Sequence, residues 1–210
     1  MTAPHAQNPQ LLLATNNPGK VRELRRLLEG SGFEVLTPTD LNIALDVEET
    51  GDTYAENALI KARAFAQASG LLSLADDSGI EVDALDGRPG LYSARYGGPG
   101  LDDEARTALL LHELEGIPDA RRTARYRAIV ALARRDPGLS TEDSGLIFEG
   151  VQPGAIAHAP RGEGGFGYDP VFLVDNERTQ AEISADEKDR ISHRGQAVRA
   201  AREYLRSLSR

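Results

Sequence analysis

The sequence Leu71-Leu72-Ser73-Leu74-Ala75-Asp76-Asp77-Ser78-Gly79 joins an apolar run to two adjacent carboxylates, a hydroxyl and a glycine. The apolar run predicts a buried strand, and in an α/β protein ligands bind at the carboxyl ends of strands. Because side chains alternate along a strand, Asp76 and Asp77 are expected to point to opposite faces of the sheet. Asp, Ser and Gly are also ordinary turn residues, so the stretch taken alone favours a strand cap, with Ile80–Leu85 as the returning strand.

A second polar loop follows a strand near the amino terminus. Leu11–Ala14 predicts a short buried strand, and Thr15-Asn16-Asn17-Pro18-Gly19-Lys20 follows it directly. Asn17 is suited to cap the next helix, with Pro18 at its first position. A cation in the first turn is disfavoured by the helix dipole, so Lys20 indicates an anionic ligand such as phosphate. The alternative is an ordinary capped turn with a solvated lysine, and the spacing is not that of a Walker loop.

The segment from Asp40 to Asp52 is acidic. Such a run is usually a solvated loop, but it could also supply carboxylates to Mg²⁺, which prefers oxygen ligands. Thr53 and Glu56 then form a capping box that predicts a helix to about Ser69.

The middle of the chain predicts a long sheet. Thr123–Ala133 alternates at first and is then continuously apolar, which suits a strand that leaves one lobe and enters another. Leu146–Glu149 and Val151–Ile156 predict a further pair of strands. The Gly- and Pro-rich loop from Gly87 to Gly100 is long, and such loops are more often functional than not. Without repeats or a clean linker, we expect residues 1–10 to be a disordered extension and 11–210 a single two-lobed domain.

Two later stretches carry aromatic and basic groups. Arg161–Pro170 is rich in glycine and formally contains GxGxxG, but the predicted strand Val171–Val174 follows it where a dinucleotide motif requires a helix. Its glycines and two aromatic residues suggest a backbone that a flat ligand approaches, and the alternative is a mobile hairpin loop. Another capping box begins at Ser184, and the last helix begins near Ser192. Three donors cluster at the start of that helix: Lys188, His193 and Arg194.

The composition excludes several classes of function. With 210 residues, of which 40% are hydrophobic, the chain can bury a proper core. It has no cysteine, which excludes disulfides, thiolate metal sites and a cysteine nucleophile. A net charge of −9 argues against stable nucleic-acid binding. No apolar run approaches the ~18 residues of a membrane helix, and residues 1–10 lack the apolar core of a signal peptide, so we expect a cytoplasmic protein without membrane association.

Taken together in this order, the motifs resemble the inosine triphosphate pyrophosphatase family, which removes non-standard purine nucleotides. The similar stretches cover nearly the whole chain beyond residue 10 and are Thr15–Lys20, Glu48–Gly51, Glu56–Ala58 with Lys61-Ala62, Ala75–Gly79, Pro89–Tyr96, Gly164–Pro170 and Ile191–Gly195. The departures are the first ten residues and Asp136–Ser144, a polar segment expected within a hairpin.

The resemblance implies an α/β fold with an elongated mixed sheet, helices in two lobes, a central substrate cleft and usually a homodimer. It also implies hydrolysis of ITP, dITP or XTP to the monophosphate and pyrophosphate with Mg²⁺, which cleanses the nucleotide pool. The roles carried over by motif position are triphosphate binding by Thr15, Asn16, Asn17, Pro18, Gly19 and Lys20, metal binding by Glu48 and Asp77, general-base catalysis by Asp77, and nucleotide contacts by Ser78, Phe166, Gly167, Tyr168, Asp169, Lys188, His193 and Arg194. Asp76 keeps a turn-holding role.

Base selection is expected at the purine 6-position. A donor such as Arg194 or His193 would donate to the keto oxygen of hypoxanthine or xanthine, whereas the amino group of adenine would face it with a second donor. Two alternatives stay open from the sequence: a phosphatase or pyrophosphatase for modified pyrimidine nucleotides, and a non-catalytic nucleotide-binding module. Glu48 and Asp77 argue against the second, because a simple anion binder has little reason to keep carboxylates near phosphate.

Overall fold

The computed structural model of the chain describes residues 8–135 and 145–208. Its strands are β1 (Gln10–Leu13), β2 (Glu34–Leu36), β3 (Leu72–Val82), β4 (Thr123–Ala133), β5 (Gly145–Ile156) and β6 (Phe172–Leu173). Its α-helices are α1 (Pro18–Leu27), α2 (Tyr54–Ser69), α3 (Asp103–Glu113), α4 (Ala185–Ile191) and α5 (His193–Leu208). The predicted extension falls largely on residues 1–7, and the predicted segment Asp136–Ser144 falls on 136–144; both ranges lie outside the described residues.

The strands form one six-stranded mixed sheet in the order β2-β1-β3-β4-β5-β6. β1 pairs in parallel with β2 and β3, whereas β3, β4, β5 and β6 pair in antiparallel fashion. The expected α/β fold with a mixed sheet is therefore confirmed. No helix in the described ranges is long and apolar enough to cross a membrane.

The central strand does not turn at its carboxylates, and the prediction of a strand cap followed by a returning strand is wrong. β3 continues through Asp76 and Asp77 to Val82, and it pairs with β4 from Ser73 to Val82. The two strands predicted between Leu146 and Ile156 are likewise one strand, β5. In each case pairing with β4 continues past residues that would otherwise favour a turn. The last predicted strand, Val171–Val174, shortens to Phe172–Leu173.

The helix starts follow the predicted local chemistry. Asn17 caps α1 by accepting a hydrogen bond from the Lys20 backbone N–H, with Pro18 at the first position. The Thr53 and Glu56 capping box opens α2. These side chains satisfy backbone donors that have no partner within the helix, which fixes where each helix begins.

Buried side chains form three clusters around the sheet. One cluster packs α1 and α5 against one face of β1, β3 and β4, around Leu24, Leu74 and Val198. A second packs α2 against the opposite face, and a third packs α3 against the far ends of β3, β4 and β5. The middle of β3 therefore lies where all three clusters meet, and that is where its carboxylates are.

Candidate active site

A cleft with a volume of about 140 Å³ opens beside the middle of β3. Its lining includes many of the residues singled out in the sequence: Asn17, Lys20, Asp77, Ser78, Phe166, Gly167, Tyr168, Asp169, Lys188, His193 and Arg194. A larger groove of about 500 Å³ lies at another end of the sheet, but its lining residues include no carboxylate. The titratable groups thus converge on the smaller cleft.

Asp76 and Asp77 point to opposite faces of the sheet, as strand alternation requires. Asp76 faces α1 and α5: its carboxylate lies 2.6 Å from Lys20 Nζ and 3.2 Å from Arg194 Nη2. Burial alone would raise the pKa of Asp76, but Arg194 and Lys20 hold it well below the ordinary value. The carboxylate is therefore a buried anion between two cations. Its expected turn-holding role is wrong, because the chain does not turn there.

Asp77 faces α2 and the cleft. Lys61 Nζ donates to Asp77 Oδ1 at 3.1 Å and to Glu49 Oε1 at 2.8 Å. Asp77 Oδ2 is buried and has no hydrogen-bond partner among the described residues. Burial, reinforced by Glu49, raises the pKa of Asp77 in spite of Lys61 and Lys20. A raised pKa and an unpartnered oxygen suit a carboxylate that takes a proton or a cation.

The structure places Glu49, and not Glu48, at this end of the cleft. Between Leu41 and Thr50 exposure alternates from one residue to the next, because Ile43, Leu45 and Val47 pack towards α2. Glu49 continues the inward side and lines the cleft, whereas Glu48 is exposed and lies outside the lining. The assignment of Glu48 as a metal ligand stays a prediction, while Glu49 is the carboxylate that shares Lys61 with Asp77.

The loop before α1 lies close to the glycine-rich loop. Gly19 is buried, and a Cβ there would approach the Phe166 ring to 2.7 Å, so only glycine fits without moving that ring. Asn17 and Lys20 line the cleft. Of the other loop residues predicted to bind triphosphate, Thr15 accepts from the Asn17 N–H, and Asn16 and Pro18 are exposed and lie outside the cleft lining.

Phe166 and Asp169 organise the glycine-rich loop. Lys188 Nζ lies 5.1 Å from the Phe166 ring centroid, and the Arg194 guanidinium lies 5.6 Å from it. Asp169 accepts from the Phe166 backbone N–H at 2.9 Å and from Lys188 Nζ at 2.5 Å. Asp169 therefore holds the loop and its neighbouring lysine together. Gly167 is tied separately, through its N–H, to Asp103 at the start of α3.

Glu23 is a buried carboxylate that the sequence did not single out. It lies 2.6 Å from both Lys188 Nζ and Arg194 Nη1. Burial alone would raise the pKa of Glu23, but the two cations lower it overall. An acidic residue in an amphipathic helix usually lies on the solvated face, and Glu23 is buried instead because Lys188 and Arg194 approach from distant parts of the chain.

His193 is buried and stacks on Tyr126, with ring centroids 4.5 Å apart and an interplanar angle of 11°. Burial, followed by the charge of Arg194, lowers the pKa of His193 well below the ordinary value. His193 is therefore a neutral imidazole at pH 7. Its Nδ1 has no hydrogen-bond partner within the described part of the chain.

Proteins of known family resemble this chain in sequence and in structure. A family model described as the Ham1 family matches residues 11–204. A dITP/XTP pyrophosphatase of Bacillus subtilis is 46% identical over 93% of this chain and 96% of its own length. A dITP/XTP pyrophosphatase of Symbiobacterium thermophilum is 50% identical over 95% of this chain and 96% of its own length. The solved structure of a HAM1 protein from Coxiella burnetii aligns with a TM-score of 0.83 at 40% identity, covering 95% of this chain and 99% of that one.

Proposed function

The chain belongs to the Ham1 family, and we propose that it hydrolyses dITP, ITP and XTP to the monophosphate and pyrophosphate, removing deaminated purines before they enter DNA or RNA. The observation that carries the proposal is Asp77, a buried carboxylate with a raised pKa and an unpartnered oxygen, set beside Lys20 and Lys61. The names of the B. subtilis and S. thermophilum relatives support the substrate class.

The triphosphate binds where α1 begins. Pro18 has no N–H, and the Lys20 N–H is bound by the Asn17 cap. The Gly19 N–H and the helix dipole therefore favour an anion there, and the Lys20 side chain adds a full charge. Burial lowers the pKa of Lys20, with Asp76 opposing the shift. A phosphate beside it would favour the protonated ammonium. Lys61 supplies a second cation beside Asp77. It lies close to Lys20, because both ammonium groups donate to the Asp76 carbonyl oxygen.

Mg²⁺ binding is proposed at Asp77 and Glu49, with Glu49 replacing Glu48 in the assignment made from the sequence. The donor set fits, because both carboxylates already share one cation, Lys61 Nζ, and Asp77 Oδ2 is unpartnered among the described residues. Mg²⁺ commonly binds to one or two protein carboxylates together with substrate phosphates. When bound, it neutralises phosphate charge and acidifies a coordinated water.

Asp77 orients the attacking water and accepts its proton. Attack at the α-phosphorus needs a base within hydrogen-bond reach and cations around the phosphates. Asp77 is held by Lys61 through one carboxylate oxygen, which leaves the other free to accept from water. Asp76 fixes the side chains of Lys20 and Arg194 through its two ion pairs. It takes no proton in the reaction, since its pKa lies far below that of an ordinary carboxyl group.

Selection of keto bases rests on Lys188. The donors of Arg194 are already directed to Asp76, Glu23 and Ser78. His193 is neutral, so either tautomer is open to it, and it could accept from an adenine amino group as well as donate to a carbonyl. Lys188 lines the cleft and is only a donor: two of its three N–H groups reach Glu23 and Asp169, which leaves one for a purine 6-keto oxygen.

A homodimer is also proposed, on the strength of the family resemblance. Light scattering coupled to gel filtration tests this directly: a mass of two chains is expected, and a mass of one chain contradicts it.

The reaction is tested by its products. Purified protein is incubated with dITP and Mg²⁺, the nucleotide product is separated by ion exchange, and phosphate is measured before and after adding inorganic pyrophosphatase. We expect dIMP, with phosphate released only after the second enzyme is added. Free phosphate in its absence, together with dIDP, would indicate a phosphatase and overturn the proposal.

A further inference from the structure

Four charged side chains of alternating sign run outward from β3, through Glu49 in the cleft lining, to an exposed arginine. Asp77 Oδ1 lies 3.1 Å from Lys61 Nζ, and Lys61 Nζ lies 2.8 Å from Glu49 Oε1. Glu49 Oε2 in turn lies 3.2 Å from Arg95 Nη1. The outermost member, Arg95, has no role in the function proposed above.

Arg95 directly follows residues that line the cleft, although it is not itself part of the lining. It ends the 3₁₀ segment Gly90–Arg95, and three other residues of that segment, Leu91, Ser93 and Ala94, line the cleft. Its guanidinium carbon lies over the Tyr92 ring, 5.0 Å from the centroid, a contact that arginine favours. With 46% of the side chain exposed, its outer edge faces solvent.

We propose that Arg95 binds the β- and γ-phosphates of the substrate, the part that leaves as pyrophosphate. This inference rests on the function proposed above. A metal ion bound by Glu49 would compete with Arg95 for that carboxylate, which now neutralises the guanidinium. Lys61 lies next to Asp77, beside the bond that breaks, whereas Arg95 lies two charged groups further out.

A guanidinium group is well suited to bind the β- and γ-phosphates. Its planar fork binds two phosphate oxygens at once, a geometry that the lysine ammonium lacks. Contact with the Tyr92 ring restricts the guanidinium before the ligand arrives, so less side-chain entropy is lost on binding.

Another role for Arg95 would be to position Glu49 for the metal. The two roles can be told apart by what a substitution changes. Loss of a phosphate-binding residue lowers the affinity for pyrophosphate, whereas loss of a residue that positions Glu49 raises the concentration of Mg²⁺ needed for half-maximal turnover.

The test compares Arg95→Ala and Arg95→Lys with Arg88→Ala. Arg88 lies on the same loop, is similarly exposed, and pairs with Glu113 rather than with the cleft. Binding of inorganic pyrophosphate in the presence of Mg²⁺ is measured by calorimetry, and the KM for dITP and the Mg²⁺ dependence are measured by dIMP formation.

We expect Arg95→Ala to weaken pyrophosphate binding and raise the KM for dITP by about tenfold or more, the magnitude of a lost charged hydrogen bond. Arg95→Lys should recover part of the loss, and Arg88→Ala should resemble the wild type. Unchanged pyrophosphate affinity in Arg95→Ala, or a change in Mg²⁺ dependence alone, would overturn the inference. Failure of the wild type to release pyrophosphate from dITP would instead refute the proposed function, while the calorimetric comparison would still report on Arg95.

Discussion

Lys61 Nζ lies 3.1 Å from Asp77 Oδ1 and thereby ties α2 to the centre of β3. The contact fixes the orientation of the carboxylate and leaves its second oxygen buried without a partner among the described residues. Positioning of this kind favours catalysis, because a base already in place needs no reorganisation at the moment of reaction.

Replacing Asp77 by asparagine should remove turnover and keep nucleotide binding. The amide preserves the size of the side chain but cannot accept a proton, and loss of a general base costs about 10²–10⁴-fold in rate. Turnover of dITP and binding of a non-hydrolysable analogue are to be measured together. Asp119→Asn, at an exposed position outside the cleft, is the matched control. Turnover near the wild-type rate in Asp77→Asn would remove Asp77 from this role.

Replacing Asp76 by asparagine should destabilise the protein and change how its stability depends on pH. Removing one partner from a buried ion pair costs about 3–5 kcal/mol, since Lys20 would stay buried without its anion and Arg194 would keep only Glu23. The folded-state pKa of Asp76 is depressed, so its contribution is present above the unfolded pKa and lost as the pH falls below it.

Thermal melts from pH 7 down to pH 3 test this. The wild type should lose more stability between about pH 5 and pH 3 than Asp76→Asn does, because the variant has no such carboxylate to protonate. Parallel curves for the two proteins would contradict the assignment of Asp76 as a buried structural anion.

Glu49 and Glu48 form a natural pair for testing the metal site. Glu49→Gln should raise the Mg²⁺ concentration for half-maximal turnover by about tenfold or more, because a neutral amide is a poorer ligand for a hard cation. Glu48→Gln makes the same chemical change at an exposed neighbouring position and should resemble the wild type. The reverse order of effects would restore the assignment of Glu48. Removal of Mg²⁺ with a chelator should abolish turnover in all three proteins.

Lys20→Ala should raise the KM for triphosphates and also lower the melting temperature. The sequence alone places Lys20 on a solvent-facing first turn, where its loss should affect binding more than folding, but the Lys20 side chain is only 16% exposed and pairs with buried Asp76. Arg194 still faces Asp76 in the variant, so the stability loss should be smaller than in Asp76→Asn. An unchanged melting temperature would show that Lys20 is not needed to neutralise Asp76.

The sequence predicts local features better than distant ones. The starts of α1 and α2 could be predicted from Asn17 and Thr53 because capping is decided within one helical turn. The continuity of β3 could not be predicted, because it depends on β4. The burial of Asp76 depends on Arg194, which lies 118 residues away in the chain.

The inward position of Glu49 and the outward position of Glu48 could have been predicted from the sequence. Ile43, Leu45 and Val47 alternate with polar or small residues, and the same period places Glu49 on their side. Glu23 had no comparable signal, since its partners Lys188 and Arg194 lie near the other end of the chain.

Turnover of dITP, XTP, dGTP and dATP by the purified protein with Mg²⁺, with pyrophosphate and monophosphate both quantified, tests the central claim most directly. The account predicts stoichiometric pyrophosphate and monophosphate from dITP and XTP, at rates well above those for dGTP and dATP. Equal rates on all four substrates, or phosphate as the primary product, would contradict it.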